Sequence, residues 1–175
     1  ILLGAKQEEV TRIMSELTSV AGRLEYFKGE NDIIAAVDYA HTPDALENVL
    51  VTLKELDCQG DLICVFGCGG NRDKTKRPEM GAIAAKYANR VIVTSDNPRD
   101  ENPEEIIADI KAGMDIKARA KSLFISNREE AINTAILTAK EGSIILVAGK
   151  GHEDYQIING VKHHFDDKEK IKEAF

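Results

Sequence analysis

Short apolar runs alternate with amphipathic segments along most of this chain, and that alternation leaves few folds open. "DLICVFG" from Asp61, "RVIVTS" from Arg90, "SLFIS" from Ser122 and "SIILVAG" from Ser143 each read as a strand. Between them lie segments with helical spacing: "HTPDALENVLVTLKEL", Pro78 to Tyr87, the stretch after Asn102, and "NREEAINTAILTAK". A strand that is apolar on both faces belongs to a sheet covered on both sides, which in practice means a parallel sheet with helical crossovers. The expected fold is therefore α/β: doubly wound and Rossmann-like, with a mostly parallel sheet.

Local chemistry sharpens the boundaries. Thr42, Asn102 and Asn127 stand where helix caps are wanted, Pro43 and Pro103 fit the first turn, and Glu105 is placed to close a capping box. Arg23–Lys28 and Ile33–Asp38 read as strands joined by a Gly-Glu-Asn-Asp turn. "YQIINGVKHHF" carries the Asn-Gly pair that turns a hairpin, expected as an antiparallel edge of the sheet, with His163 and His164 at the surface. "DDKEKIKEAF" is an acid-led helix. At the front, Val10, Ile13, Met14 and Leu17 share one helical face. The chain opens at "ILLGAKQEEV" without a methionine, and the expectation is a segment of a longer protein.

Composition removes several functions. The net charge of −7 over 175 residues argues against a nucleic-acid binder, which needs a cationic face. No apolar run is long enough to span a bilayer. Cys58, Cys64 and Cys68 contain no C-x-x-C pair, so reduced thiols of a cytoplasmic protein fit better than disulfides or zinc.

In a doubly wound sheet ligands bind beyond the carboxyl ends of the strands, which directs attention to four stretches. "GCGGNRDKTKRP" is glycine-rich and basic, with Arg72, Lys74, Lys76 and Arg77 forming a candidate anion site. It matches neither a P-loop nor G-x-G-x-x-G, since Arg72 stands where the last glycine belongs. "SDNPRD" puts Asp96 and Arg99 on one stiff corner around Pro98. Arg99 suits a carboxylate and Asp96 an ammonium, which together fit an amino-acid zwitterion. "GKGHEDYQ" lacks the second histidine of a zincin, because residue 156 is Gln156; Glu153 is placed to face the same pocket as Arg99. "DYAHTPDA" sets Asp38 at a strand end, a usual position for holding ribose hydroxyls, and His41 before a helix.

Taken together, "GRLE", "DYAHTPDAL", "GCGGNRDKTKRPEMG", "TSDNPR" and "GKGHEDYQ" resemble the C-terminal part of the Mur ligases, in that family's order and spacing, over nearly the whole chain. The resemblance implies an ATP-dependent amide-bond-forming ligase of peptidoglycan synthesis. It points to the branch that adds meso-2,6-diaminopimelate to UDP-N-acetylmuramoyl-L-alanyl-D-glutamate, with ATP and Mg2+ bound mainly by a central domain. Residues 1–22 then correspond to the last helix of that central domain and 23–175 to the amino-acid-binding domain. The full-length enzyme is expected to be a cytoplasmic monomer, and the fragment alone inactive. Carried over position by position, Arg72, Asp96, Asn97, Arg99, Gly149 and Glu153 match the diaminopimelate pocket. Arg23, Asp38 and His41 match positions near the nucleotide, and no catalytic residue is carried over. The alternatives are another Mur-type or folylpolyglutamate-type ligase, a Rossmann-type nucleotide-binding module, or a domain that only binds an anionic metabolite.

Overall fold

The computed structural model describes residues 22–56 and 59–175. The proposed front helix and Cys58 lie outside these residues. β1 (Glu25–Lys28) and β2 (Ile34–Asp38) form an antiparallel pair, followed by α1 (Pro43–Lys54), β3 (Leu62–Phe66), α2 (Lys76–Tyr87) and β4 (Arg90–Val93). Then come α3 (Pro103–Ala112), α4 (Ile116–Ala120), β5 (Ser122–Phe124), α5 (Arg128–Leu137) and β6 (Ile144–Ala148). β7 (Tyr155–Ile158), β8 (Val161–His164) and α6 (Asp167–Ala174) close the chain.

The main sheet has six strands in the order β1-β2-β6-β3-β4-β5, parallel from β2 to β5. β3 and β6 are buried at every residue, as their composition demands. Their side chains divide by alternation. Leu62, Cys64 and Phe66 join Leu46, Leu50, Met80 and Ile110 under α1–α3, while Ile63 and Val65 join Ile132, Ala135 and Ile171 under α5 and α6. Each face thus builds its own apolar layer from one set of strands. The chain passes from β2 to β3 and returns only later to insert β6 between them. That reversal opens a crevice at the carboxyl rim.

The predicted caps are present. Thr42 accepts from Ala45 N, Asn102 from Glu104 N and Asn127 from Glu130 N. Three details differ from the sequence reading. α2 starts two residues earlier, at Lys76, because Pro78 in a first turn sacrifices no hydrogen bond. α4 was not foreseen, for it buries no residue and so carries no apolar period. The Asn159-Gly160 hairpin forms a separate two-stranded sheet, and the antiparallel edge of the main sheet is β1. Asn159 and Gly160 both have positive φ, 50° and 75°, as the tight turn requires.

Candidate functional site

The loops following β2, β3, β4 and β6 enclose a cleft of about 500 Å3 at the sheet's carboxyl rim. Arg72, Asp96, Asn97, Arg99, Gly149, Glu153 and His41 all line it, so the strand-end stretches singled out by sequence do converge. Tyr39, Cys68, Lys76, Tyr155 and a third carboxylate, Asp73, are also in the wall. Arg23 and Asp38 do not line it. Asp38 is buried, and its two carboxylate oxygens accept from Leu24 N (3.0 Å) and Ala40 N (2.8 Å), pinning the start of β1 to the end of β2. Arg23 lies over the Tyr39 ring, 5.3 Å from its centroid.

The basic stretch divides. Of its four cations only Arg72 and Lys76 face the cleft. Arg77 is wholly buried and turned away, donating to Glu101 (3.0 Å), Asp109 (2.8 Å) and Gly69 O (3.3 Å). Lys74 pairs with Glu101 as well, at 2.9 Å. Arg77, Lys74 and the Asn71 N–H together hold the Glu101 carboxyl down at about 2. These contacts moor the loop after β3 to the loop after β4. A four-cation anion site is therefore not what the stretch builds: a counter-ion on α3 draws one of its arginines into the interior.

Arg99 is the best-anchored cation of the cleft. Its Nη1 donates to Gly70 O (2.8 Å), and its main chain bonds the hairpin through Arg99 N to Ile157 O (2.9 Å) and Asn159 N to Arg99 O (2.7 Å). Its φ is 54°, a left-handed conformation that costs a non-glycine residue roughly 1–2 kcal/mol. The hairpin also takes Asp96 O through Gln156 Nε2 (2.6 Å) and Asn97 Oδ1 through Ile157 N (2.9 Å). Its structural task is to clamp the Asp96–Arg99 corner.

Sequence reasoning missed Lys150, which is fully buried between Gly149 and Gly151. Its ammonium donates to Tyr155 O (2.5 Å) and Asn97 Oδ1 (3.3 Å) and lies 3.3 Å from Asp96 Oδ1. Burial pushes its pKa down, while Asp96 pulls the other way. Asn97 Nδ2 donates to Glu153 Oε2 at 2.9 Å, so this carboxamide is occupied at both ends. Arg128, also wholly buried, joins the rim from beneath. It makes a two-pronged pair with Asp167 at 2.7 Å on each prong and donates to Ala148 O (3.0 Å). No sequence signal marked either residue, because each pairs with groups far along the chain. Cys64 and Cys68 have thiols pushed up to about 12 by burial, which leaves them protonated. Among the described residues no group of three His, Cys, Asp or Glu is placed to hold a metal ion, and no helix is long and apolar enough to cross a membrane.

The fold is thus that of a doubly wound α/β domain whose switch-point cleft carries fixed charges of both signs. The chain belongs to the Mur ligase family: the family's glutamate ligase domain matches residues 22–151. It is 56% identical over its full length to the UDP-N-acetylmuramoyl-L-alanyl-D-glutamate–2,6-diaminopimelate ligase of Bacteroides thetaiotaomicron, of which it spans 36%. A solved structure of a ligase with that same name is 44% identical and superposes with a TM-score of 0.83 over 99% of this chain and 35% of the other. A bifunctional folylpolyglutamate synthase/dihydrofolate synthase with Mn, AMPPNP and L-glutamate bound shares the fold. It is 19% identical, with a TM-score of 0.62 over 85% of this chain and 33% of its own. The chain thus spans about a third of the length of its curated relatives.

Proposed function

We propose that this chain is the amino-acid-binding domain of an ATP-dependent amide ligase that joins meso-2,6-diaminopimelate to UDP-N-acetylmuramoyl-L-alanyl-D-glutamate. The single observation that carries the reading is the convergence of Arg72, Asp96, Asn97, Arg99, Gly149 and Glu153 on one cleft. The names of the relatives agree with it. In this reading Arg99 and Arg72 take a carboxylate of the amino acid, and Asp96 and Glu153 take the ammonium beside it. Gly149, at φ 117°, lets the backbone come close to Asp96 and to the ligand. Held at that end, the amino acid presents its other amine outward to the activated D-glutamate carboxyl. Fixing that geometry converts an encounter of two solutes into a step within one complex.

ATP is the second substrate on this reading. Tyr39 and His41 at one edge of the cleft, with Arg23 over the Tyr39 ring, form an aromatic and cationic group suited to a nucleotide. Asp38 retains lone pairs but is held in place by main-chain donors, so its approach to ribose depends on that loop. Magnesium on this reading is held mainly by a central domain, to which residues 1–22 belong.

The test is Arg99→Ala in the full-length ligase. The KM for meso-diaminopimelate is expected to rise at least tenfold, with the KM for ATP within twofold of wild type. An unchanged diaminopimelate KM removes Arg99 from the site and the reading with it.

A further inference from the structure

Two carboxylates of the cleft, Asp96 and Glu153, lie close enough to share one neighbour. Glu153 Oε2 is bonded to Asn97 Nδ2, and Asn97 Oδ1 accepts from Lys150 Nζ. Lys150 Nζ also stands 3.3 Å from Asp96 Oδ1 and 4.0 Å from Glu153 Oε2. Asp96 Oδ1 is closed off from solvent and has no hydrogen-bond partner, so the ammonium is its electrostatic support. Behind this group the Arg128–Asp167 pair is internally balanced. The Tyr155 ring lies 5.8 Å from Lys150 Nζ, and the Tyr155 main-chain carbonyl accepts a hydrogen bond from that ammonium.

The charges decide what such a group can hold. Asp96 and Glu153 alone present two negative charges to the cleft; with Lys150 the cluster presents one. A single negative charge matches a single ammonium. A second would be left buried and unmatched once the ligand sealed the cleft. The lysine also spans three segments, the loop after β4, the loop after β6 and the start of β7. It therefore fixes where the two carboxylates stand relative to Arg99.

We propose that Lys150 is the positioning residue of the amino-acid site: its buried ammonium sets the charge and spacing of Asp96, Asn97 and Glu153, and so the affinity of the cleft for the ammonium-bearing end of the incoming amino acid. It touches no substrate itself. This deepens the functional reading above and rests on it.

Steady-state kinetics of the full-length ligase test the idea with Lys150→Met, which keeps the volume without the charge, and Lys150→Gln, which keeps a donor for Tyr155 O without the charge. Wild type is first shown to release ADP in a manner dependent on meso-diaminopimelate. Should it respond to a different amino acid, the substrate assignment fails, and the Lys150 comparison proceeds with the amino acid that works. Both variants are expected to raise the KM for the amino acid at least tenfold, leaving the KM for ATP within twofold and kcat within fivefold. A merely structural lysine would move all three together. Where Lys150→Met fails to fold, Lys150→Gln decides alone. An amino-acid KM within twofold of wild type, a parallel rise in the KM for ATP, or full recovery by Lys150→Gln overturns the proposal.

Discussion

Replacing Gly70 by alanine tests whether the cleft depends on close approach of two loops. A Cβ at Gly70 would lie 1.9 Å from Pro98 O, about 1.5 Å inside ordinary contact. The atom in the way is main chain on a proline, so neither side can rotate out of the clash. The loops after β3 and β4 must separate, and two bonds go with them: Gly70 N to Asn97 O (2.9 Å) and Arg99 Nη1 to Gly70 O (2.8 Å). The first is a neutral main-chain bond worth about 1 kcal/mol net, and the second is charge-assisted at about 1.5–3 kcal/mol. The expected loss is therefore about 2.5–4 kcal/mol, which for a domain of this size lowers Tm by roughly 5–16 °C. Arg99 loses its tether in the same event. A 1 Å misplacement of a positioning group can cost on the order of a hundredfold, so the amino-acid KM of the ligase should rise at least tenfold. Calorimetric melting of the domain and steady-state kinetics of the full-length protein measure the two effects. A Tm within 2 °C of wild type together with a KM within twofold would show that the loops tolerate separation and that Arg99 is not positioned through Gly70.

Two further outcomes are expected. Arg128→Met leaves the Asp167 carboxylate buried without its partner, a loss of about 3–5 kcal/mol in urea unfolding, and Arg128→Met with Asp167→Leu should recover most of it. Glu101, held from its ordinary 4.5 down to about 2 by Arg77, Lys74 and Asn71 N, contributes stability that is fully present above about pH 5 and disappears as the pH falls through 2. Thermal melts from pH 6 to pH 2.5 should therefore show a steeper acid limb for wild type than for Glu101→Gln, and equal slopes would remove Glu101 from the acid response.

The two central strands, β3 and β6, were legible because burial on both faces leaves no charged residue in "ICVF" and "IILVA". The helix starts were legible because caps act locally: Thr42, Asn102 and Asn127 bond to amides two or three residues on. The cleft was legible to the extent that the residues lining it sit at strand ends. What escaped were charges whose role depends on distant partners. Lys150 between glycines looks solvated until Asp96 and Asn97 arrive from another loop. Arg77 reads as part of a basic anion site, and Arg128 as a helix residue without special mark, until Asp109 and Asp167 fold onto them. Neighbouring residues give no hint of a charge's fate when its counter-ion lies 32 to 54 positions away, because only the packed topology brings them together.

The backbone at Arg99 connects the fold to the function most directly. Among the described residues the other non-glycine positions with positive φ are Leu24, Asn31, Asp32, Asn71 and Asn159, and four of these five are the Asn or Asp that tolerate it. A long charged side chain gains nothing locally from that conformation. Glycine would serve there at lower cost but would bring no guanidinium. The strain of roughly 1–2 kcal/mol is offset by the two main-chain bonds that the hairpin makes on either side of Arg99. A two-stranded sheet outside the main one, turned by Asn159-Gly160, thus has a reason to exist: it holds one corner in a shape the chain would not choose alone. Strain that surrounding structure actively maintains is a mark of a working position. Here it sets a cation in the wall of a cleft whose carboxylates Asp96 and Glu153 both approach a buried lysine.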